Sequence, residues 1–198
     1  MEAELLDLLA ARRGHFRLES GHHGNLWLDL DSLFLQPARL LPFAAELARR
    51  LSTHPVEAVV GPQVGGTLVA EMVAAELGVP SCLSERVEEA DRSRLYSVRY
   101  RVPDAFHDRL RDKTVAIVDD AINAGSATRA TYAALKTLGA RPIVVGALLM
   151  LGNAASAFLQ ENNLPVEQIA FLPNELWEPA DCPLCAAGVP LSTPPAAG

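Results

Sequence analysis

An α/β fold, a parallel sheet flanked by helices, is predicted for this 198-residue chain by three observations. Apolar runs of strand length occur at 57–61, 79–84, 115–118, 143–149 and 168–172. Segments of helical period lie between them at 65–78, 126–138 and 154–162. Glycines close two of those segments, Gly78 as a C-cap and Gly139 as a stop. Strands that alternate with helices pair in parallel. Ligands of such sheets gather beyond the carboxyl ends of the strands, which directs attention to the loops at 62–66 and 119–128.

Taken in order, residues 2–13 place Leu5, Leu6, Leu8 and Leu9 on one broad face, and a first helix is expected. Leu26, Leu28 and Leu30 alternate with Asp29 and Asp31, the pattern of a strand with one polar face. Pro37 opens a helix to about 51, with Leu40, Leu41, Phe43, Ala44, Leu47 and Leu51 at helical spacing. The core strands and helices named above follow. Between them, residues 87–112 are polar and arginine-rich without a sustained period. They read as a mobile loop or an extension, in which 96–102 alternates like a hairpin arm. After Pro173 the chain becomes proline- and cysteine-rich. The last five residues, 194–198, read as a disordered tail. The organisation expected is one domain over 1–193. Its core is 36–172, and a small hood comes from 1–35 and part of 173–193.

Composition narrows the function. An apolar content of 49% with 21% charged residues fits a soluble globular chain. No apolar run reaches the length of roughly 18 residues that spans a bilayer, and the acidic start Met1-Glu2-Ala3-Glu4 lacks a signal-peptide pattern; a cytoplasmic location is expected. A net charge of −7 argues against broad nucleic-acid binding, which needs a basic face. Lys113 and Lys136 are the only lysines, so cation-dependent chemistry falls to Arg, His or a metal. Three cysteines make no disulfide framework. Cys182 and Cys185 have CxxC spacing, which leaves open a structural turn, half of a zinc site shared across subunits, or a redox pair.

The most informative stretch is Val115-Ala116-Ile117-Val118-Asp119-Asp120-Ala121-Ile122-Asn123-Ala124-Gly125-Ser126-Ala127-Thr128. A buried strand delivers two carboxylates and a turn of small residues to a helix start. Helix N-termini favour phosphate, and paired carboxylates accept hydrogen bonds from vicinal hydroxyls. Together they suit a ribose 5-phosphate.

This stretch resembles the phosphoribosyl diphosphate (PRPP) signature of type I phosphoribosyltransferases, and the chain is most similar to the orotate phosphoribosyltransferases. Phe16 to Gly21 resembles their Phe-x-Leu-x-Ser-Gly segment. Gly61-Pro62-Gln63-Val64-Gly65-Gly66 resembles their pyrophosphate loop. Cys182 to Leu191 resembles the ending of one branch. The resemblance implies an enzyme that joins a nucleobase-like nitrogen to C1 of PRPP and releases pyrophosphate, orotate being the usual base. It implies Mg2+ held mainly by PRPP. It also implies a homodimer in which the 87–112 loop closes over the partner's site. Asp119 and Asp120 would hold the ribose hydroxyls. Gly65 and Gly66 would meet the diphosphate, and Ala121, Asn123, Ala124, Gly125, Ser126, Ala127 and Thr128 would complete the PRPP site. Arg86 stands where the family places a catalytic lysine. His22, His23, Trp27, Leu28 and Met150 fall on the base side.

The base side departs from the family. Glu19 replaces a cation, Met150-Leu151 replaces the Asp-Arg pair that would meet the orotate carboxylate, and the 87–112 loop has no lysine. Arg92, Arg94, Arg99, Arg101 and His107 are candidate substitutes. His22 and His23 could restore positive charge below pH ~6.5. The lysine-free loop and Glu19 favour an alternative, a PRPP- or nucleotide-sensing regulator that has lost catalysis; a third reading, an RNA-binding regulator on this fold, has the net charge of −7 against it.

Overall fold

A computed structural model describes residues 1–87 and 95–193. Arg92, Arg94 and the tail expected to be disordered lie outside the described residues. The centre is a six-stranded sheet in the order β5-β4-β3-β6-β7-β8. Its strands are β3 (Ala58–Pro62), β4 (Ser81–Val87), β5 (Arg99–Arg101), β6 (Thr114–Ile122), β7 (Arg141–Leu151) and β8 (Val166–Leu172). All neighbours pair in parallel except β4 and β5. The parallel strands read as nearly continuous apolar runs because helices cover both faces.

Two apolar cores result. Helices α2 (Leu41–Leu51) and α3 (Gly65–Leu77) pack on one face, where Leu47, Leu51, Val69 and Val73 meet Ala116, Val118, Val144 and Leu148. Helices α4 (His107–Leu110), α5 (Ser126–Leu138) and α6 (Ser156–Glu161) cover the other. There Leu110, Leu135 and Leu159 meet Val115, Ile117, Val145 and Ala147. The first packing is close at Gly146: a Cβ there would sit 3.1 Å from Leu51 and 3.2 Å from Val118, so both side chains would have to give way. Gly78 and Gly139 end α3 and α5 in the left-handed conformation, as expected of C-cap glycines.

The N-terminal region departs from the sequence expectation. Helix α1 covers only Glu2–Asp7, and Ala10–Arg17 is β1, antiparallel to β2 (His23–Asp29). A helix continued to residue 13 would have carried Arg12 and Arg13 on the face that Leu8 and Leu9 begin. Pairing with β2 instead satisfies the backbone of 10–17. The turn between them holds Gly21 at a φ of 85° and is closed by Leu18 N–H to His22 O at 2.9 Å. Strand β9 (Leu176–Trp177) adds to β2, making a three-stranded hood sheet. Of the polar 87–112 segment, expected as a mobile loop or an extension, residues 88–94 lie outside the described residues. Its alternation yields β5, with Val98, Tyr100 and Val102 buried, and α4 follows.

Leu47→Ala removes a fully buried side chain from the first core. Unfolding in urea is expected to show a loss of about 2–5 kcal/mol; a loss below about 1 kcal/mol would mean that α2 does not hold the sheet as described.

Candidate active site

Asp119 and Asp120 lie in the last residues of β6, ahead of its end at Ile122, and β3, its direct neighbour, leads into the 61–66 loop. The two loops therefore stand side by side at the carboxyl edge of the sheet. The contact is intimate. A Cβ on Gly65 would collide with Asp120 Oδ2, and one on Gly66 would lie 2.5 Å from Asp119 Oδ1. Gly61 is equally constrained, since its Cβ would strike the backbone of Gly66. The paired glycines are thus demanded by the acidic pair itself, besides any approach of a ligand to the backbone. The Gln63–Val64 peptide in this loop is cis.

The acids are held by local bonds. Asp119 Oδ1 accepts from Asp120 N–H at 3.0 Å, and Asp120 Oδ1 accepts from Ala121 N–H at 2.8 Å. Asp119 is buried, and its carboxyl is pushed well above the ordinary carboxylate range, first by burial and then by the charge of Asp120, with Glu19 adding. Next comes the turn to α5. Gly125 sits at a φ of 76°, where a side chain is unfavourable, and caps a 13-residue helix whose first amides face the loop. Thr128 Oγ1 is buried there without a hydrogen-bond partner in the protein. A phosphate oxygen is the kind of acceptor such a donor lacks.

Above the acids lies a cleft of about 410 Å³. Its floor is Asp119 to Ala127, its roof is Leu18-Glu19-Ser20 and Leu26 to Leu30 of the hood, and Leu151 closes one side. This is a suitable size for a small ligand. The described residues lining it include four acids, Glu19, Asp29, Asp119 and Asp120, and no arginine, lysine or histidine. Two arginines reach lining residues from outside: Arg86 Nη1 lies 2.9 Å from Glu19 Oε1, and Arg129 Nε donates to Ala124 O at 3.4 Å. Glu19 does reverse the expected charge, but Arg86 accompanies it. Partial burial raises the Glu19 carboxyl, and Arg86 opposes that rise. Tyr100 leans over the same corner. It donates to Gln63 O at 3.4 Å, and burial, with Glu19 next, pushes its phenol well up, so that it stays protonated.

Of the base-side residues, Trp27 and Leu28 line the cleft, and Trp27 also packs on Phe16 with ring centroids 5.8 Å apart. Three others are placed differently from the sequence expectation. Met150 points into the second core, away from the cleft, and its neighbour Leu151 takes the lining position. His22 leaves the lining and stands by Ser20 Oγ, 3.0 Å away, and the ring of Tyr96. Burial pushes its imidazole below the ordinary value, so at neutral pH it supplies no charge. His23 turns to the opposite side of the hood, toward His15 and the two C-terminal cysteines. Among the candidate loop cations, Arg101 is bound to Glu85 at 2.5 Å, and His107 Nε2 lies 3.0 Å from Val102 O. Arg99 and Arg101 line a second hollow of about 750 Å³ between β5 and α5, apart from the acids.

Residues absent from the sequence reading also belong to the site. Asn174 donates from Nδ2 to Asn123 Oδ1 at 3.2 Å and thereby braces the phosphate-side loop. Gly152, at a φ of 62°, is pressed against the Asn174 backbone. Nothing in the local pattern of 173–175 announces this, because the contact spans 51 residues.

The Phosphoribosyl transferase domain model matches residues 38–164. An orotate phosphoribosyltransferase of Thermotoga maritima is 30% identical over all of this chain and 99% of its own length. Another from Desulforamulus reducens is 31% identical, over 96% and 95% of the two chains. Among solved structures, orotate phosphoribosyltransferase from Aeropyrum pernix superposes with a TM-score of 0.65 at 21% identity, over 87% of this chain and 94% of that one. Adenine phosphoribosyltransferase from Giardia lamblia, complexed with 9-deazaadenine, gives 0.67 at 18%, over 86% and 97%; these two show the fold alone.

The raised Asp119 carboxyl has a consequence for stability. The folded chain binds that proton more tightly than the unfolded chain, so stability is lost as pH rises from about 4 through the raised value. Asp119→Asn keeps the acceptor for Asp120 N–H and removes the charge. By thermal scanning of the ligand-free protein, its midpoint at pH 8 should exceed that of the wild type, with a flatter slope above pH 4. A lower midpoint at pH 8 would contradict the burial argument.

Proposed function

The chain belongs to the phosphoribosyl transferase family, and we propose that it transfers the ribosyl 5-phosphate of PRPP to orotate with release of pyrophosphate. One observation carries the reading: the acidic pair, the glycine loop and the start of α5 meet at one end of the sheet, under a cleft roofed by the hood. The curated relatives named above carry the enzyme's name, and none of the comparisons favours a regulator that has lost catalysis.

In this reading the phosphate sits at the start of α5, with Ser126, Ala127 and Thr128 donating. Asp119 and Asp120 accept from the ribose hydroxyls. Scission of the C1–O bond leaves positive charge on the ribose and negative charge on pyrophosphate. The fixed carboxylates favour the first. The amides of Gly65 and Gly66 and the Arg86 guanidinium are the groups at hand for the second. Arg86 does not deprotonate, so its role is charge and orientation rather than proton transfer. The hood and Tyr100 keep water from the reacting centre.

Mg2+ suits this donor set, since crowded carboxylate oxygens are its usual neighbours. It would be carried mainly by PRPP, beside Asp119 and Asp120, and would neutralise the departing pyrophosphate. A homodimer and a cytoplasmic location belong to the same reading. Among the described residues no helix is long and apolar enough to cross a membrane.

A second reading concerns the base. The absence of a cation among the described lining residues, with Leu151 where a carboxylate partner would stand, favours a heterocycle without a carboxylate.

Pyrophosphate release from PRPP and Mg2+ over a panel of bases separates these readings. Release with orotate is expected; release only with uncharged bases would support the second reading, and silence with every base would sink the enzyme assignment. Asp120→Asn should weaken PRPP binding at least several-fold by calorimetry, whereas an unchanged affinity would remove the ribose role of this residue.

A further inference from the structure

On the far side of the hood, four side chains that the transfer reaction does not use converge: His15 of β1, His23 at the start of β2, and Cys182 and Cys185 flanking the start of α7 (Pro183–Ala186). Their ligand atoms all lie within 4.8 Å of one another. We propose that His15, His23, Cys182 and Cys185 bind a structural zinc ion that ties the C-terminal segment to the N-terminal hairpin.

The distances describe a coordination shell. His15 Nε2 is 2.9 Å from His23 Nδ1, 3.5 Å from Cys182 Sγ and 3.7 Å from Cys185 Sγ, and Cys185 Sγ is 3.3 Å from His23 Nδ1. A tetrahedral zinc ion with Zn–N near 2.0 Å and Zn–S near 2.3 Å separates its ligands by roughly 3.3–3.8 Å. Three of these four separations stand close to those edges, and the two imidazoles are slightly too near each other; the two remaining separations, from Cys182 Sγ to Cys185 Sγ and to His23 Nδ1, lie within 4.8 Å.

Tautomer chemistry adds a second argument. His15 Nδ1 lies 2.7 Å from Val189 O. A carbonyl only accepts, so Nδ1 carries the proton and Nε2 turns its lone pair into the cluster. A backbone carbonyl that orients an imidazole in this way is the usual outer partner of a metal-binding histidine. His15, His23 and Cys182 are buried, and Cys185 is exposed, which gives an ion a way in.

The third argument is mechanical. Among the described residues, none beyond Leu172 enters either apolar core, yet Cys182 is buried and Leu176–Trp177 pairs with β2. Strand β9 contributes two residues of pairing. A segment with so little apolar burial needs another tie, and a closed four-ligand site supplies one. The ligands all lie outside residues 38–164, so the site is an addition to the matched domain. The sequence left half of a shared site among its options for the CxxC pair; the other half is supplied by the same chain. The hairpin thus fixed also carries Glu19, Trp27 and Leu28 to the cleft.

The test uses the full, tag-free chain purified without chelator. Elemental analysis should find about one zinc per chain. Exchange for Co2+ should give the visible ligand-field bands of a tetrahedral ion, with thiolate charge-transfer absorption in the near ultraviolet. Cys185→Ser changes the exposed ligand and spares the buried three; it should lose most of the zinc and of the charge-transfer band, and lower the thermal midpoint. Lack of zinc in the native chain together with an octahedral or absent Co2+ spectrum would overturn the proposal. So would a Cys182–Cys185 disulfide found by mass spectrometry in the native protein, or full zinc retention by Cys185→Ser. None of these readouts depends on pyrophosphate release, so the site and the enzyme reading stand or fall separately.

Discussion

The constraint on which the rest of this structure depends is the contact between two glycines and two carboxylates. Parallel pairing of β3 with β6 places the Gly65-Gly66 backbone directly on the side chains of Asp119 and Asp120. No side chain fits between them. The geometry concentrates negative charge at the buried end of a strand, which is costly, and the cost appears as the raised Asp119 carboxyl. A fold that keeps so unfavourable an arrangement is stabilised elsewhere, here by two apolar cores on either face of the sheet. Strained electrostatics of this sort is what a site needs when its ligand brings hydroxyls and a cation to it.

The charge economy of the cleft follows from the same constraint. Glu19 adds a further carboxylate, and Arg86 stands beside it rather than over the acidic pair. The ion pair is partly exposed and contributes little to stability; its importance is in placing a permanent cation at the rim. Arginine serves here because it stays charged at any working pH. The hood then divides in two. The β1–β2 hairpin presents Trp27 and Leu28 to the cleft, and His15 and His23 to the cysteines.

Much of this was legible in the sequence, for physical reasons that can be named. The 126–138 helix was read to the residue because Gly125 and Gly139 bound it and its apolar period is clean. The buried parallel strands announced themselves as apolar runs, and β7 only proved longer than the 143–149 expected. The first helix was overextended because Leu8 and Leu9 continue its face locally, while the pairing that makes 10–17 a strand is made with residues 23–29. Local pattern cannot register such a partner. Met150 and Leu151 are adjacent, and which of them faces the cleft is decided by strand orientation, invisible in composition. The histidine pair was read as a unit, and the pleat sent the two rings to different environments. Asn174 and the His15–His23–Cys182–Cys185 cluster join segments as many as 170 residues apart, so only the folded chain brings them together.

The most direct test of the central claim is a crystal structure of the protein grown with PRPP and Mg2+. The account predicts ribose density between Asp119-Asp120 and the first turn of α5, with the diphosphate against Gly65 and Gly66. Ligand density in the hollow lined by Arg99 and Arg101 instead, with the acidic cleft holding solvent alone, would contradict it.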